Sequence, residues 1–384
     1  MKVAIIEPHL IDFTGHFYSF VSELKKGFEG IGEEVEVFLP ENSEVQNFGE
    51  KVLPPTFFPK EGRFKTYSRV MQSIFKFSVI LKKIQKNFDA LVFTTADNNC
   101  AIGGAALINT NKPLIFYFHT PEPLFYPMRK SLRLFLLLNK FKRTKIAFLT
   151  PAWFEEHLKK GNLLKHIKLF QDVPYPLAPP NNNDIKKVDK GFFLGYLGDA
   201  REDKNFRKVV ELLSVAPENL GFIIQCNPPA IGEYEVGIKE IVQYLKGLRR
   251  EHLYIYDNPL NLDEYQKILN LSSIVWCLYN ASQYRNRISG ILLEAWLFRK
   301  PVITTRGTWM ARQVEKYGGG LVLDSQDPQK ILKAVEEIQK NYERFSKEAE
   351  AAGKALFSKN NGVALATFIK RLLDEEVGIR ADLL

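Results

Sequence analysis

PYPLAPPNNND, at 174–184, decides the fold, because it separates two runs of the same kind. Its four prolines each fix φ and remove a backbone donor, and three asparagines follow, so neither a helix nor a central strand passes through it. It reads as a linker. Upstream, KVAII (2–6) is a short apolar strand, followed by the loop EPHLIDFTGH, a helical pattern from Phe17 to Gly30 and a second strand, EVEVFL. DALVFTT (89–95), PLIFYFH (113–119) and KIAFLT (145–150) repeat the strand signal, with a small-residue helix, NCAIGGAALINT, between the first two. Downstream the alternation restarts. GFFLGYLG (191–198), GFIIQC (221–226), HLYIY (252–256), SIVWCLY (273–279) and PVITT read as strands, with helical patterns such as NFRKVVELLSVA and DEYQKILNL between them. Strands alternating with helices build a parallel sheet wrapped by helices. The expected class is α/β, with two Rossmann-like domains at 1–178 and 179–355 whose sheets face each other across a cleft, and a helical tail at 356–384.

At 384 residues the chain is too long for one ordinary core, which agrees with two domains. Lys and Arg number 53 against 44 Asp and Glu, a net charge of +9. That moderate bias suits anionic partners, whether nucleotide phosphates, a membrane surface or nucleic acid, and does not choose among them. Cys100, Cys226 and Cys277 form neither a disulfide framework nor a zinc spacing, and suit a reducing cytoplasm. Glu7, His9 and Asp12 break the apolar run of the first twenty residues, so no signal peptide is expected. The apolar run LRLFLLL (132–138) falls well short of the ~20 residues a bilayer span needs. The expected location is cytoplasmic, including the inner face of the cytoplasmic membrane.

A cleft between two Rossmann-like sheets is a usual ligand site. The G-x-G-x-x-G turn of a nicotinamide enzyme belongs after the first strand, where this chain has EPHLIDFTGH. The P-loop pattern is missing too, as is the D-x-D triplet with which some transferases hold a divalent ion.

Three segments of the second half carry a resemblance. SGILLEAWLFRKPVIT (289–304), YLGDAREDKNFRKVVELL (196–213) and TRGTWMARQVEKYGGGLVLD (305–324) resemble the donor-domain signature of the retaining family-four glycosyltransferases of the GT-B fold. TGHFYSFVSEL and LIFYFHTPEP, in the first half, resemble more loosely that family's glycine loop and a strand ending in His. The resemblance implies transfer of a sugar from a nucleotide-sugar donor to a glycan, lipid-linked or other acceptor, with retention, no metal and no cofactor. A diphosphate leaving group gains charge as the sugar–phosphate bond breaks, so cations and oriented N–H groups must meet it. Without a metal triplet, that work falls to helix N-termini and to Lys or Arg.

Arg201 and Lys204 stand just after the strand that ends at Gly198. A basic pair there is either a solvated turn before a helix or the cationic side of a phosphate site. Ser289 and Gly290, with Ile291, open a helix whose first N–H groups suit phosphate, and Ser289 equally suits an N-cap. Glu294 is a lone carboxylate in the apolar run ILLEAWLF and needs a partner if buried. By the resemblance it accepts hydrogen bonds from the donor ribose. Two positions depart from the family. Asp199 replaces the usual Arg after the glycine, and Asn286 replaces a Glu eight positions before Glu294 that holds sugar hydroxyls. Arg285 and Arg287 flank Asn286 and suit an acidic sugar or a phosphate. By the same resemblance, His119 touches the donor sugar and Gly15 and His16 form the glycine loop; Asp97, closing the strand DALVFTTAD, is placed to orient an acceptor hydroxyl.

Two segments are nearly one-signed. Within 60–88 eight Lys or Arg face Glu61 alone, and 126–145 carries seven with no acid. Apolar residues interleave, as in helices that lie on anionic lipid. Ordinary solvated helix faces look the same. No helix-turn-helix, zinc or RNP-type motif accompanies the charge, so nucleic acid is not expected. Asp199 and Asn286 also keep open a catalytically silent GT-B protein that binds a sugar nucleotide or a partner. A sugar-nucleotide epimerase of the same fold is the other alternative.

Overall fold

The computed structural model describes residues 1–13, 16–55, 63–96, 98–120, 145–152, 168–180, 191–229 and 233–374, with side chains of the second helix described from Ser68 onward. Contacts divide the chain into two units. One comprises Met1–Asp12, Phe17–Pro176 and Asn360–Leu384, the other Phe13–His16 and Leu177–Lys359.

The first unit is built on seven strands: β1 (Lys2–Ile6), β2 (Glu34–Pro40), β3 (Glu50–Leu53), β4 (Ala90–Phe93), β5 (Leu114–Tyr117), β6 (Ile146–Leu149) and β7 (Lys168–Phe170). They pair in the order β3-β2-β1-β4-β5-β6-β7, every pair parallel. β4, β5 and β6 are buried along their whole length. A strand covered on both faces reads as a continuous apolar run, and ALVF, LIFY and IAFL do. The edge strands β3 (EKVL) and β7 (KLF) are only partly buried. The sequence reading has no strand at either place, because short half-covered strands have no such run.

Helices α1 (Phe17–Gly30), α2 (Arg63–Ile84) and α3 (Asn99–Leu107) cover this sheet. The last described helix of the chain, α12 (Gly362–Asp374), packs on α1. Gly27 and Gly362 permit that approach, since a Cβ on either would overlap the backbone of the facing helix. Tyr175 N–H donates to Asn360 Oδ1 at 2.9 Å, so the proline-rich stretch is tied to the start of this returning segment.

The second unit holds β8 (Phe192–Tyr196), β9 (Leu220–Gln225), β10 (Leu253–Tyr256), β11 (Ile274–Cys277), β12 (Val302–Thr305) and β13 (Gly320–Leu323). Their order is β10-β9-β8-β11-β12-β13, again parallel throughout. Around them lie α4 (Arg207–Leu213), α5 (Ile238–Gly247), α6 (Leu262–Leu271), the short α7 (Ala281–Tyr284), α8 (Gly290–Leu297), α9 (Trp309–Tyr317), α10 (Pro328–Lys340) and α11 (Tyr342–Phe357). Local signals set several starts. Asn261 and Glu264 form a reciprocal capping box on α6, and Asp327 caps α10 just ahead of Pro328. Strand order reverses between β8 and β11 in this unit, and between β1 and β4 in the first. Such a reversal opens a crevice beyond the carboxyl ends of the two strands.

Candidate donor site in the second unit

β8 hands over to a sharp turn. Gly198 takes φ +100°, which favours glycine, and its N–H donates to Gln225 Oε1 at the end of β9, at 2.7 Å. A Cβ at this position would lie 2.7 Å from Lys204 Nζ and 3.2 Å from Ile291 Cδ1. The missing side chain therefore leaves room for the Lys204 ammonium and the first turn of α8 to meet over this loop. Lys204 closes a 3-10 turn (Glu202–Lys204) and is only 7% exposed. The solvated-turn alternative does not describe it.

Four further charges surround it. Lys204 Nζ is ion-paired with Asp199. Arg201 Nη2 donates to the Tyr284 hydroxyl at 2.8 Å, while its Nε lies 3.4 Å from Asp199 Oδ2 and 3.1 Å from Asp203 Oδ1. Arg287 Nη1 lies 3.4 Å from Asp203 Oδ2, with its guanidinium 5.8 Å from the Tyr284 ring centre. The loops after β8 and β11 are laced together. Asn280 N–H donates to Asp203 O at 2.9 Å, and Asn205 Nδ2 donates to Leu278 O at 2.7 Å. Asn205 itself sits in the left-handed region, φ 55°.

Burial disfavours the charges of Asp199, Lys204 and Arg201, and the pairing answers it unevenly. Desolvation opposes the Asp199 carboxylate, yet Lys204 and then Arg201 hold it below its usual range. At Lys204 desolvation wins over Asp199, and the ammonium titrates below its usual value. At Arg201 desolvation is outweighed, first by Asp199, and the guanidinium stays charged.

Glu294 rises from α8, half-buried, and accepts a hydrogen bond from the Tyr265 hydroxyl of α6 at 2.7 Å. Desolvation raises its carboxyl, with Tyr265 and then Lys204 pulling the other way. Nearby, the Tyr279 hydroxyl is buried with no hydrogen-bond partner among the described residues. Ser289 caps α8, its Oγ accepting from Leu292 N–H at a long 3.4 Å. The first amides of a helix have no acceptor within it, which leaves Gly290 and Ile291 N–H for a ligand. Asn286 lies half-exposed in the loop between α7 and α8, and the carbonyl of the preceding Arg285 accepts from Arg312 Nη2 at 2.7 Å. Lys300, the basic residue just before the proline of the RKPVIT segment, is structural. It is buried, and its ammonium donates to Asn270 O in the last turn of α6 at 2.6 Å.

Gly198, Arg201, Lys204, Asn286, Arg287, Ser289, Gly290, Ile291 and Glu294 thus all lie on the loops and helix starts that follow β8 and β11. The residues proposed from the first half lie on other elements. His119 lies in the loop two residues past the end of β5 rather than ending the strand, half-buried among the rings of Phe17, Phe20, Tyr117 and Tyr175, at centroid distances of 4.7 to 6.5 Å. His16 is half-buried just before α1. Gly15 and Asp97 lie outside the described residues.

Sequence reasoning did not pick out Tyr265, Tyr284 or Gln225, which reach the site from other elements, nor Asp203, in the same turn as Lys204. It also passed over Glu7, at the end of β1. That carboxylate is fully buried and accepts hydrogen bonds from Thr94 Oγ1 at 2.7 Å, Thr95 Oγ1 at 2.6 Å and His9 N at 2.7 Å. An acidic residue inside an otherwise apolar opening was the available signal.

No family model matches the chain, and no curated protein matches it. Solved structures do. A sucrose-phosphate synthase from Thermosynechococcus elongatus superposes with a TM-score of 0.69 at 13% identity, over 97% of this chain and 98% of the other. HepE of Anabaena, in complex with UDP and glucose, gives 0.66 at 14% identity, over 98% and 100%. WaaG, a glycosyltransferase involved in lipopolysaccharide biosynthesis, gives 0.59 at 14% identity, over 99% and 100%. The fold is GT-B, the fold of these glycosyltransferases, along nearly the whole chain.

Proposed function

We propose that the protein is a glycosyltransferase that takes a sugar from a nucleotide donor held by the second unit. The observation that carries this reading is the meeting of Lys204, the Gly198 turn, the start of α8 and Glu294 where strand order reverses. Lys204, with Arg201, meets the diphosphate, the Gly290 and Ile291 amides bind its oxygens, and Glu294 accepts from the ribose hydroxyls. Asn286 and Arg287 face the transferred sugar. By the family resemblance His119, His16 and Gly15 also serve the donor, and Asp97 orients the acceptor hydroxyl. The bond from the sugar's anomeric carbon to the diphosphate oxygen breaks, and the acceptor oxygen bonds to that carbon on the same face. The acceptor proton passes to the leaving phosphate, so retention needs no protein base and no metal. UDP is the first base to try, since HepE is solved with UDP and with UDP-glucose. A hexose is the sugar we favour.

The acceptor is a glycan or a lipid-linked saccharide, reached from the inner face of the cytoplasmic membrane. Helix α2 supports that surface. Met71, Phe75 and Val79, spaced four apart on one face, are 49%, 65% and 38% exposed. Arg69, Lys76, Lys82 and Lys83 are exposed beside them. Aliphatic stems reach along such a stripe while the charges meet lipid phosphates. Among the described residues no helix is long and apolar enough to cross a membrane. The second basic segment, 126–145, lies outside the described residues but for Lys145. Vesicles with about a third anionic lipid should retain the protein at low salt, whereas Met71→Ser/Phe75→Ser should lose most of that binding with its melting temperature unchanged. Equal retention of both proteins would remove the membrane from the reading.

A catalytically silent sugar-nucleotide binder is favoured by one observation, the Asp199 carboxylate on Lys204. The deciding experiment is thermal unfolding with UDP, GDP, ADP, dTDP and CMP, followed by donor turnover with and without acceptor. One diphosphate should stabilise the protein, by about 2.7 kcal/mol at a hundred times its Kd. Glu294→Ala should lose that effect. Stabilisation without turnover would select the silent binder, and no stabilisation by any nucleotide would end the transferase reading.

A further inference from the structure

We infer that Asp199 is an internal counterion, a carboxylate that holds the phosphate-binding position until a more highly charged anion displaces it. The identity of that anion as a nucleoside diphosphate rests on the transferase reading; the counterion itself rests on geometry. Lys204 Nζ is almost enclosed, its side chain 9% exposed, and it lies against the Gly198 turn, the side where a Cβ is missing. Asp199, the next residue, turns its carboxylate into that place, pairing with Lys204 Nζ and lying 3.4 Å from Arg201 Nε.

The two acids of the cluster are not equivalent. Asp203 stands between Arg201 and Arg287, and its carbonyl is fixed by Asn280 N–H. Asp199 has its carbonyl fixed by the Tyr196 hydroxyl at 3.1 Å, whereas its side chain, 21% exposed, faces the cations and solvent. It turns about its side-chain bonds without moving the loop. Lys204, Arg201 and Arg287 face Asp199 and Asp203, so one positive charge is left over. Taking Asp199 away leaves two.

The consequence is selection by charge. A monoanion offers Lys204 no more than Asp199 already does, and the tethered carboxylate loses no translational freedom in binding. A diphosphate offers several oxygens and more charge, and it displaces the carboxylate into solvent. After transfer, Asp199 competes with the departing nucleoside diphosphate for the same cations. The residue therefore sets both which anions enter and how tightly the product stays.

Calorimetric titration with inorganic pyrophosphate and with UDP, on the wild type and on Asp199→Asn, tests this. The variant should bind both at least tenfold more tightly, and the preference for pyrophosphate over monovalent phosphate analogues should narrow. Its unliganded melting temperature should fall, because Lys204 loses its partner, and pyrophosphate should raise it by more than in the wild type. Asp199→Ser replaces it if the asparagine variant does not fold. A folded variant that binds neither ligand more tightly overturns the counterion, and UDP binding by the wild type would then leave the transferase reading intact. Tighter pyrophosphate with no UDP binding by either protein supports the counterion and defeats the transferase reading. Binding of neither ligand by either protein overturns both.

Discussion

The two places where strand order reverses share a topology and differ in chemistry. Beyond β1 and β4 the carboxylate of Glu7 is fully buried and met by two hydroxyls and an amide. Beyond β8 and β11 three cations and two carboxylates crowd around a glycine turn, with Glu294 a short way off. The first arrangement leaves its polar groups saturated by neutral donors and fits a structural tie that fixes the loop bearing His9. The second keeps charge in excess and one acid facing solvent, which a ligand can exploit. A parallel sheet supplies the crevice twice; the side chains decide what each crevice does.

The largest effect expected from breaking this contrast is at Lys204. Lys204→Met removes one partner of a buried pair and leaves Asp199 against Arg201 alone. Such a loss typically costs about 3–5 kcal/mol, and the exposed flank of Asp199 argues for the lower end. Denaturant unfolding should show that cost, and diphosphate should no longer stabilise the variant. A Lys204→Met protein as stable as the wild type, with the nucleotide effect intact, would leave Lys204 no part in diphosphate binding.

The next effect belongs to the first crevice and is read in pH. Burial raises Glu7 from 4.5 to about 7, against the hydrogen bonds from Thr95, Thr94 and His9. Its folded form therefore keeps a proton that the unfolded chain releases, and stability is lost as pH climbs from 4.5 to 7. Burial lowers His9 from 6.5 to about 4, so its contribution is lost in the other direction, as pH falls from 6.5 to 4. Between pH 4.5 and 6.5 the two slopes oppose each other. Glu7→Gln should uncover the His9 slope, a gain of about 1.4 kcal/mol per pH unit relative to wild type across that window. His9→Phe should uncover the opposite slope. Parallel stability curves for all three proteins would show that neither group titrates as its burial requires.

What was legible in the sequence follows from how each feature is encoded. Buried strands such as LVF at 91–93 and VWC at 275–277 are local apolar runs, and the proline-rich stretch is a local breaker; both can be read along the chain. Edge strands β3 and β7 have only part of that pattern and were not read. Gly198 and Lys204 are also local, a turn residue and a cation six positions on. The partners that define their environment are not. Tyr284 meets Arg201, and Tyr265 meets Glu294, across distances in sequence that no spacing rule spans. Asp199 was visible as a departure beside Gly198, but whether its carboxylate turns to solvent or onto Lys204 is a rotamer, settled by the pocket.

The smallest expected effect sharpens the contrast most finely. Tyr265→Phe deletes one hydroxyl and takes from Glu294 the hydrogen bond that it accepts, in a site where desolvation already raises the carboxyl. If Glu294 belongs to a saturated structural tie like Glu7, losing the donor costs about 1–2 kcal/mol of stability and nothing else. If it awaits ribose hydroxyls, the same variant should be mildly destabilised alone and recover when UDP supplies new donors. Its UDP affinity should also shift toward higher pH, because the carboxylate that accepts from ribose then forms less readily. Melting curves of Tyr265→Phe with and without UDP, at pH 6 and pH 8, separate the cases. Recovery with UDP, larger at the higher pH, places Glu294 with Lys204 in a binding site, and a deficit indifferent to UDP places it with Glu7.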